Sequence, residues 1–250
     1  MIKTLIFLSI LLVNSISMMA MAGDKVLFVL TSNSQLGDTG KRTGFYLSEL
    51  THPYYIIKDA GYEIDIVSIK GGMAPIDPNS IDEGDKDNQR FLKDADLMRQ
   101  VITTQIISEV NYQDYQAIVF SGGHGTMWDL PNNKHVKTLI KNIYENNGVV
   151  ASVCHGPSAL VGVKLSNGKY IVDGKKIAVF TDMEERIAGL TDTVPFLLQS
   201  TLIEQGAIDK SGFIPWTEHA VADQRLVTGQ NPQSAHKLGH LIVEELAKLK

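Results

Sequence analysis

The stretch whose reading decides the fold is Val149-Val150-Ala151-Ser152-Val153-Cys154-His155-Gly156-Pro157. Five small or β-branched residues without a charge read as a short buried strand. Gly156 interrupts the run, and Pro157 suits the first position of a helix, where its missing N–H costs nothing. Cys154 thus falls at a strand-to-helix corner. In a parallel sheet such a corner lies at the carboxyl edge, where α/β proteins bind their ligands. A helix N-terminus beside a thiol lowers its pKa, so the expectation is an activated nucleophile rather than an inert core cysteine. The literal G-x-S-x-G elbow pattern is absent.

Working outward, short apolar runs alternate with helical patterns. Strands are expected over 25–31, 62–69, 117–121, 149–153 and 177–181, and a short hairpin over 221–227. Helices are expected over 44–60, 134–146, 194–204 and 234–249, the second stopped by Gly148. Alternation of this kind predicts an α/β architecture with a doubly wound, mostly parallel sheet. Residues 71–90 are polar, with Pro75, Pro78 and several acids, and with 91–112 they read as an insertion outside the core that caps a pocket.

The chain has 250 residues, 44% of them hydrophobic, enough for one well-buried core. A net charge of −5 with no Lys/Arg run excludes a phosphate-binding surface, so no nucleic-acid partner is expected. Lys3, the apolar run 5–13 and Ala20-Met21-Ala22 have the layout of a secretory signal peptide cleaved near Ala22. Asn14, Ser15 and Ser17 make the run too short to span a bilayer. Residues 23–250 would then form one exported catalytic domain with no membrane partner. A single cysteine cannot form an internal disulfide, and in an oxidising compartment an unpaired thiol must be buried or used.

Three further segments carry chemistry. Ser121-Gly122-Gly123-His124-Gly125 follows a buried strand, and glycines there let backbone N–H groups approach a substrate oxygen. Glu49 lies in an otherwise neutral stretch, Thr43 to Leu50, where an apolar setting would raise its pKa and suit it to proton transfer. Phe180-Thr181-Asp182-Met183-Glu184-Glu185 places acids after another strand, one of which could orient His155 in a Cys-His-acid set.

Taken in order, T-G-x-x-x-x-E, G-G-H-G, V-C-H-G-P, F-T-D-x-x-E and the segment Leu226 to Ser234 resemble the ThiJ/PfpI superfamily, within its branch of glutathione-independent glyoxalases (glyoxalase III) and thirty-one-kilodalton heat-shock chaperones. The resemblance spans essentially everything from Lys25 onward. It implies a flavodoxin-like sheet, with Cys154 as nucleophile, His155 as general acid/base and Glu185 as the acid that orients it. Asp182 and Glu184 compete for that last role. Glu49 would relay protons, and Gly122, Gly123 and His124 would form the oxyanion and substrate site, the N–H groups of Gly123 and His155 facing the oxyanion. The implied activity is that of a cofactor-free lyase of D-lactate dehydratase type, converting methylglyoxal or a related 2-oxoaldehyde to a 2-hydroxy acid. No metal or other cofactor is expected, and a homodimer is the common assembly for such enzymes. A cysteine peptidase or amidase, a holding chaperone and a redox stress protein are the rival readings.

Overall fold

The computed structural model describes residues 25–250, so the leader expected over residues 1–22 lies outside the described residues. In chain order the elements are β1 (Lys25–Leu30), α1 (Leu47–Asp59), β2 (Glu63–Ser68), α2 (Lys86–Lys93), α3 (Ala95–Ile102), β3 (Gln105–Ile106), β4 (Tyr115–Phe120), α4 (Thr126–Asp129), α5 (Lys134–Glu145), β5 (Val149–Val153), β6 (Lys176–Ile177), α6 (Asp182–Ile187), α7 (Leu198–Glu204), β7 (Ile208–Asp209), β8 (Ala220–Asp223), β9 (Leu226–Gly229) and α8 (Ala235–Ala247).

Seven strands form one sheet in the order β3-β2-β1-β4-β5-β9-β8, parallel except for the antiparallel β8–β9 hairpin. The expected α/β architecture is therefore observed. β1 is buried along nearly its whole length because helices cover both faces of the sheet, which is why its sequence is apolar rather than alternating. The side-chain period of two still sorts its residues. Leu27 and Val29 pack with Ile118, Phe120, Val150 and the Leu139–Ile143 face of α5. Val26, Phe28 and Leu30 pack on the other side with Val119, Ala151 and the apolar stripes of α1 and α8. The strand order runs outward from β1 to β2 and β3 on one side and to β4 and β5 on the other, so the switch point, where this fold class binds ligands, lies at the carboxyl ends of β1 and β4.

Three sequence expectations are corrected. Residues 71–112 are not an excursion outside the core: β3 extends the sheet beside β2, and Phe91, Leu97, Val101 and Ile107 are all buried. The segment 177–181 does not join the main sheet; only Lys176–Ile177 is a strand, paired with β7 in a separate two-stranded sheet. The helix expected from residue 44 begins at Leu47, because Phe45 is held extended between the Pro75 carbonyl at 2.9 Å and the Asp77 amide at 2.8 Å. A Cβ on Gly44 would lie 2.0 Å from the Pro75 oxygen, so only glycine permits that crossing.

Candidate active site

The chain turns sharply after β5. Cys154 has φ +59°, a left-handed conformation that costs a non-glycine residue about 1–3 kcal/mol and that surrounding contacts must enforce. Here its N–H donates to the Gly229 carbonyl at 2.9 Å, and its carbonyl accepts from the Phe180 amide at 3.1 Å. Gly156 follows because a Cβ there would lie 2.3 Å from the Phe120 carbonyl oxygen. What comes next is a 3-10 turn over Gly156–Leu160, opened by Pro157, rather than an α-helix. The corner expected from sequence is present, and the thiol at its tip is 3% exposed.

One wall of the site comes from α6. His155 Nδ1 lies 3.3 Å from Cys154 Sγ, and His155 Nε2 lies 2.7 Å from Glu185 Oε2. Burial lowers the His155 pKa to about 4, His124 lowering it further and Glu185 opposing, so the ring is neutral at pH 7. Burial alone would raise Glu185, but the hydrogen bonds from His124 and His155 prevail and hold it at about 2. An anionic Glu185 accepts, so Nε2 carries the proton and the bare Nδ1 faces the thiol. Of the three competing acids, geometry selects Glu185. Asp182 instead accepts from Ser200, and Glu184 closes a capping box with Thr181 at the start of α6.

The opposite wall comes from α1. Glu49 is fully buried, and neither carboxyl oxygen has a hydrogen-bond partner of good geometry. Burial pushes its pKa well up, opposed by weaker approaches from Cys154 and the Gly122 N–H. Burial, and then the charge on Glu49, pushes the Cys154 thiol up as well. The lowered thiol pKa expected from a helix N-terminus is thereby overturned: desolvation outweighs a dipole that a short 3-10 turn barely supplies. Glu49 and Cys154 together bear at most one negative charge near neutrality.

Between the walls lies the loop after β4. A Cβ on Gly122 would fall 2.3 Å from the Val153 carbonyl oxygen and 2.5 Å from Glu49 Oε2. Gly123 has φ +98°, and its N–H approaches the thiol and counteracts the upward push on it. The backbone donor expected there is in reach. The side chain of His124 is engaged elsewhere: its Nε2 lies 3.0 Å from Glu185 Oε1 and its ring lies 4.0 Å from that of His155. It buttresses the Glu185 wall rather than the oxyanion position.

Pro53, Thr126 and Trp216, to which sequence reasoning gave no role, shape this site together with Glu184, which it offered only as a rival to Glu185. Pro53, inside α1, has no N–H to give the Glu49 carbonyl one turn earlier; Ser121 Oγ supplies the bond at 3.1 Å instead. The proline thus ties Glu49 to the end of β4. Thr126 Oγ1 lies within 2.8 Å of the Gly123 carbonyl and 3.0 Å of the His155 carbonyl, joining the two loops. Glu184, fully buried, accepts from Thr181, Gln230, Asn231 and the Trp216 amide. Trp216, itself at φ +60°, packs 5.3 Å from Phe180, which lies 4.2 Å from His155. A proline within the helical stretch 44–60 was a readable signal; the other three act through contacts distant in sequence.

Among the described residues, His124, His155 and Glu185 bring potential metal-ligand atoms within 4.8 Å of one another. Those atoms already face one another across N–H···O bonds, so an ion there would displace the proton that orients His155.

The geometry agrees with the comparisons. The DJ-1/PfpI family model matches residues 42–245. The chain is 36% identical over 229 residues to glutathione-independent glyoxalase HSP31 of Saccharomyces cerevisiae, covering 86% of this chain and 95% of that one. The crystal structure of glyoxalase III from Candida albicans superposes with TM-score 0.82 at 32% identity, covering 88% of this chain and 96% of the other. The X-ray structure of the rapid encystment protein of 24 kDa from Francisella tularensis superposes with TM-score 0.86 at 45% identity, covering 89% and 98%. With its sharp turn at Cys154, its mostly parallel sheet and a match over most of its length, the chain belongs to the DJ-1/PfpI family.

Proposed function

We propose that this chain is a glutathione-independent glyoxalase that converts methylglyoxal or a related 2-oxoaldehyde to a 2-hydroxy acid. The observation that carries the reading is the buried, hydrogen-bond-starved Glu49 carboxyl against the Cys154 thiol. An isomerising enzyme needs a group that takes a proton from one carbon and returns it to the next, and a carboxyl with a raised pKa suits that task. The relatives named as glyoxalases support the substrate class.

In the proposed cycle, Cys154 Sγ bonds to the aldehyde carbon while its proton passes to His155 Nδ1. That proton then goes to the aldehyde oxygen, giving a hemithioacetal. Glu49 as carboxylate removes the hydrogen from C1; the electron pair forms an enediolate, whose negative charge the Gly123 N–H stabilises. Glu49 returns the proton to C2 while the C1 hydroxyl gives its proton to the C2 oxygen, leaving a 2-hydroxyacyl thioester. Water, deprotonated by His155, cleaves the thioester and restores the thiol. The net change is addition of one water to the oxoaldehyde, without a redox cofactor, as in a lyase of D-lactate dehydratase type. The near-complete burial of Cys154 and His155 disfavours a peptidase, since a polypeptide backbone is far larger than a three-carbon aldehyde.

The test is D-lactate formation from methylglyoxal without glutathione, for wild type and Cys154→Ala. Lactate from the wild type alone is expected, and its absence from folded wild-type protein would defeat the proposal. A holding role has one observation of its own: Phe213 and Ile214, on the loop that leads to Trp216, are 90% and 64% exposed. It predicts aggregation suppression that survives Cys154→Ala and falls in Phe213→Ser. We also propose export, checked by mass spectrometry for an N-terminus at Gly23.

A further inference from the structure

We propose that His52, His236 and His240 form a binding site for a divalent transition metal of the zinc class, bridging α1 and α8 and separate from the Cys154 cluster. His236 and His240 stand four residues apart on α8, one turn of helix, with ring centroids 5.0 Å apart. His52, on α1, has its ring 6.0 Å from that of His236. Two imidazoles on one tetrahedral zinc, each with a Zn–N bond of about 2.0–2.1 Å, place their ring centres roughly 5 Å apart. The His236–His240 spacing matches that value, and the His52–His236 spacing exceeds it by about 1 Å. His236 and His240 are exposed, so their side chains are free to close the remaining gap.

The second observation is the state of His52. Its Nε2 lies 2.7 Å from Asp85 Oδ2, while its Nδ1 is buried with no hydrogen-bond partner. A carboxylate that takes one ring N–H fixes the tautomer and leaves the other nitrogen as a lone-pair donor, as in carboxylate–histidine–zinc triads. Asp85 is itself fixed, because its Oδ1 accepts from the Asp87 and Asn88 amides at the start of α2. A buried, unpaired imidazole nitrogen has lost its water without a replacement, and a metal ion would supply one. Three histidines leave the fourth tetrahedral position open to water. An ion held there would tie α8 to the helix that carries Glu49 one turn before His52.

The test is calorimetric titration of the untagged full chain, stripped with chelator, with ZnCl₂ near pH 7.5. One zinc per chain is expected at this site. His236→Ala and His240→Ala should each weaken it at least tenfold, the double variant should abolish it, and Cys154→Ser should leave it unchanged. Asp85→Asn, which keeps the helix cap, should weaken binding about 10- to 100-fold. Zinc should also raise the melting temperature of wild type but not of the double variant. Superimposable titrations of wild type and the double histidine variant, or loss of all binding in Cys154→Ser, would overturn the proposal. Absence of any zinc heat at micromolar protein would overturn it equally.

Discussion

Glu49 and Glu185 stand on opposite sides of the same thiol, both almost completely buried, and they behave as different chemical groups. Glu185 receives N–H bonds from two histidines and is held ionised down to about pH 2. Glu49 has no well-formed hydrogen bond, and burial pushes it well above the usual carboxylate range. Burial is common to both, so the supply of donors decides the outcome. A carboxylate with donors becomes a fixed anion that sets a tautomer; one without them becomes a proton carrier.

The sharpest way to break this comparison is Glu49→Gln, which keeps shape and removes the proton carrier. Turnover of methylglyoxal should fall by ~10²–10⁴-fold. The thiol pKa should fall, because the Glu49 charge that raises it is gone, as the pH dependence of alkylation by a small haloacetamide would show. An unchanged turnover number would remove Glu49 from the mechanism.

Next comes Glu185→Gln, expected to lower turnover by about 10²-fold by releasing the His155 tautomer. Its pH signature follows from the shifts. Glu185 falls from an ordinary 4.5 to about 2, so its stabilisation is complete above pH 4.5 and lost as the pH drops toward 2. His155 falls from 6.5 to about 4, so the neutral ring stabilises the fold above pH 6.5 and progressively less toward pH 4. Because the raised Glu49 and Asp129 carboxyls pull stability the opposite way as the pH falls, the reading is the difference between wild type and variant in denaturant titrations run side by side. The decline below pH 4.5 should flatten in the variant, and parallel curves would contradict the assignment.

Glu184→Gln tests the donor-rich wall behind its front. Replacing one acceptor oxygen with a donor leaves buried N–H groups unpaired, costing about 1–3 kcal/mol of unfolding free energy. In a Trp128→Phe background, Trp216 fluorescence should shift to the red as its loop loosens from Phe180, and an unmoved spectrum would argue against the clamp. The smallest effect is expected from Ser121→Ala, which strands the Glu49 carbonyl opposite Pro53. About 1 kcal/mol of stability should be lost by chemical denaturation, and none if water replaces the hydroxyl freely.

Much of this comparison was readable because its parts are contiguous in the chain. Val149 to Pro157 encodes strand, cysteine, histidine and turn together, and Ser121 to Gly125 encodes the facing loop. Choosing Glu185 over Asp182 and Glu184 required the rotation of α6, since the acids three residues and one residue before it point to different partners. The thiol pKa was misjudged because sequence showed the turn but not the depth of burial or the Glu49 charge. Residues 71–112 were misplaced because Phe91, Leu97 and Val101 are scattered among charges, and only the packing on α1 and β2 explains their spacing. The run Ile177 to Thr181 is apolar as a strand would be, yet its amides at Ala178 and Val179 are satisfied by Thr228 and Ser211 side chains instead of a ladder.

The bond from the Cys154 amide to the Gly229 carbonyl also has a meaning in time. A ribosome delivers β5 long before β9, and α8, which covers α1, comes last. Until those final segments emerge, the turn at Cys154 has only the Phe180 amide to hold it, and the wall that carries Glu49 lacks its cover. A chain truncated before β9 should therefore present an ordinary exposed thiol with no reactive partner. Assembly of this site is the last act of synthesis, so an unfinished chain carries the residues of the site without their arrangement.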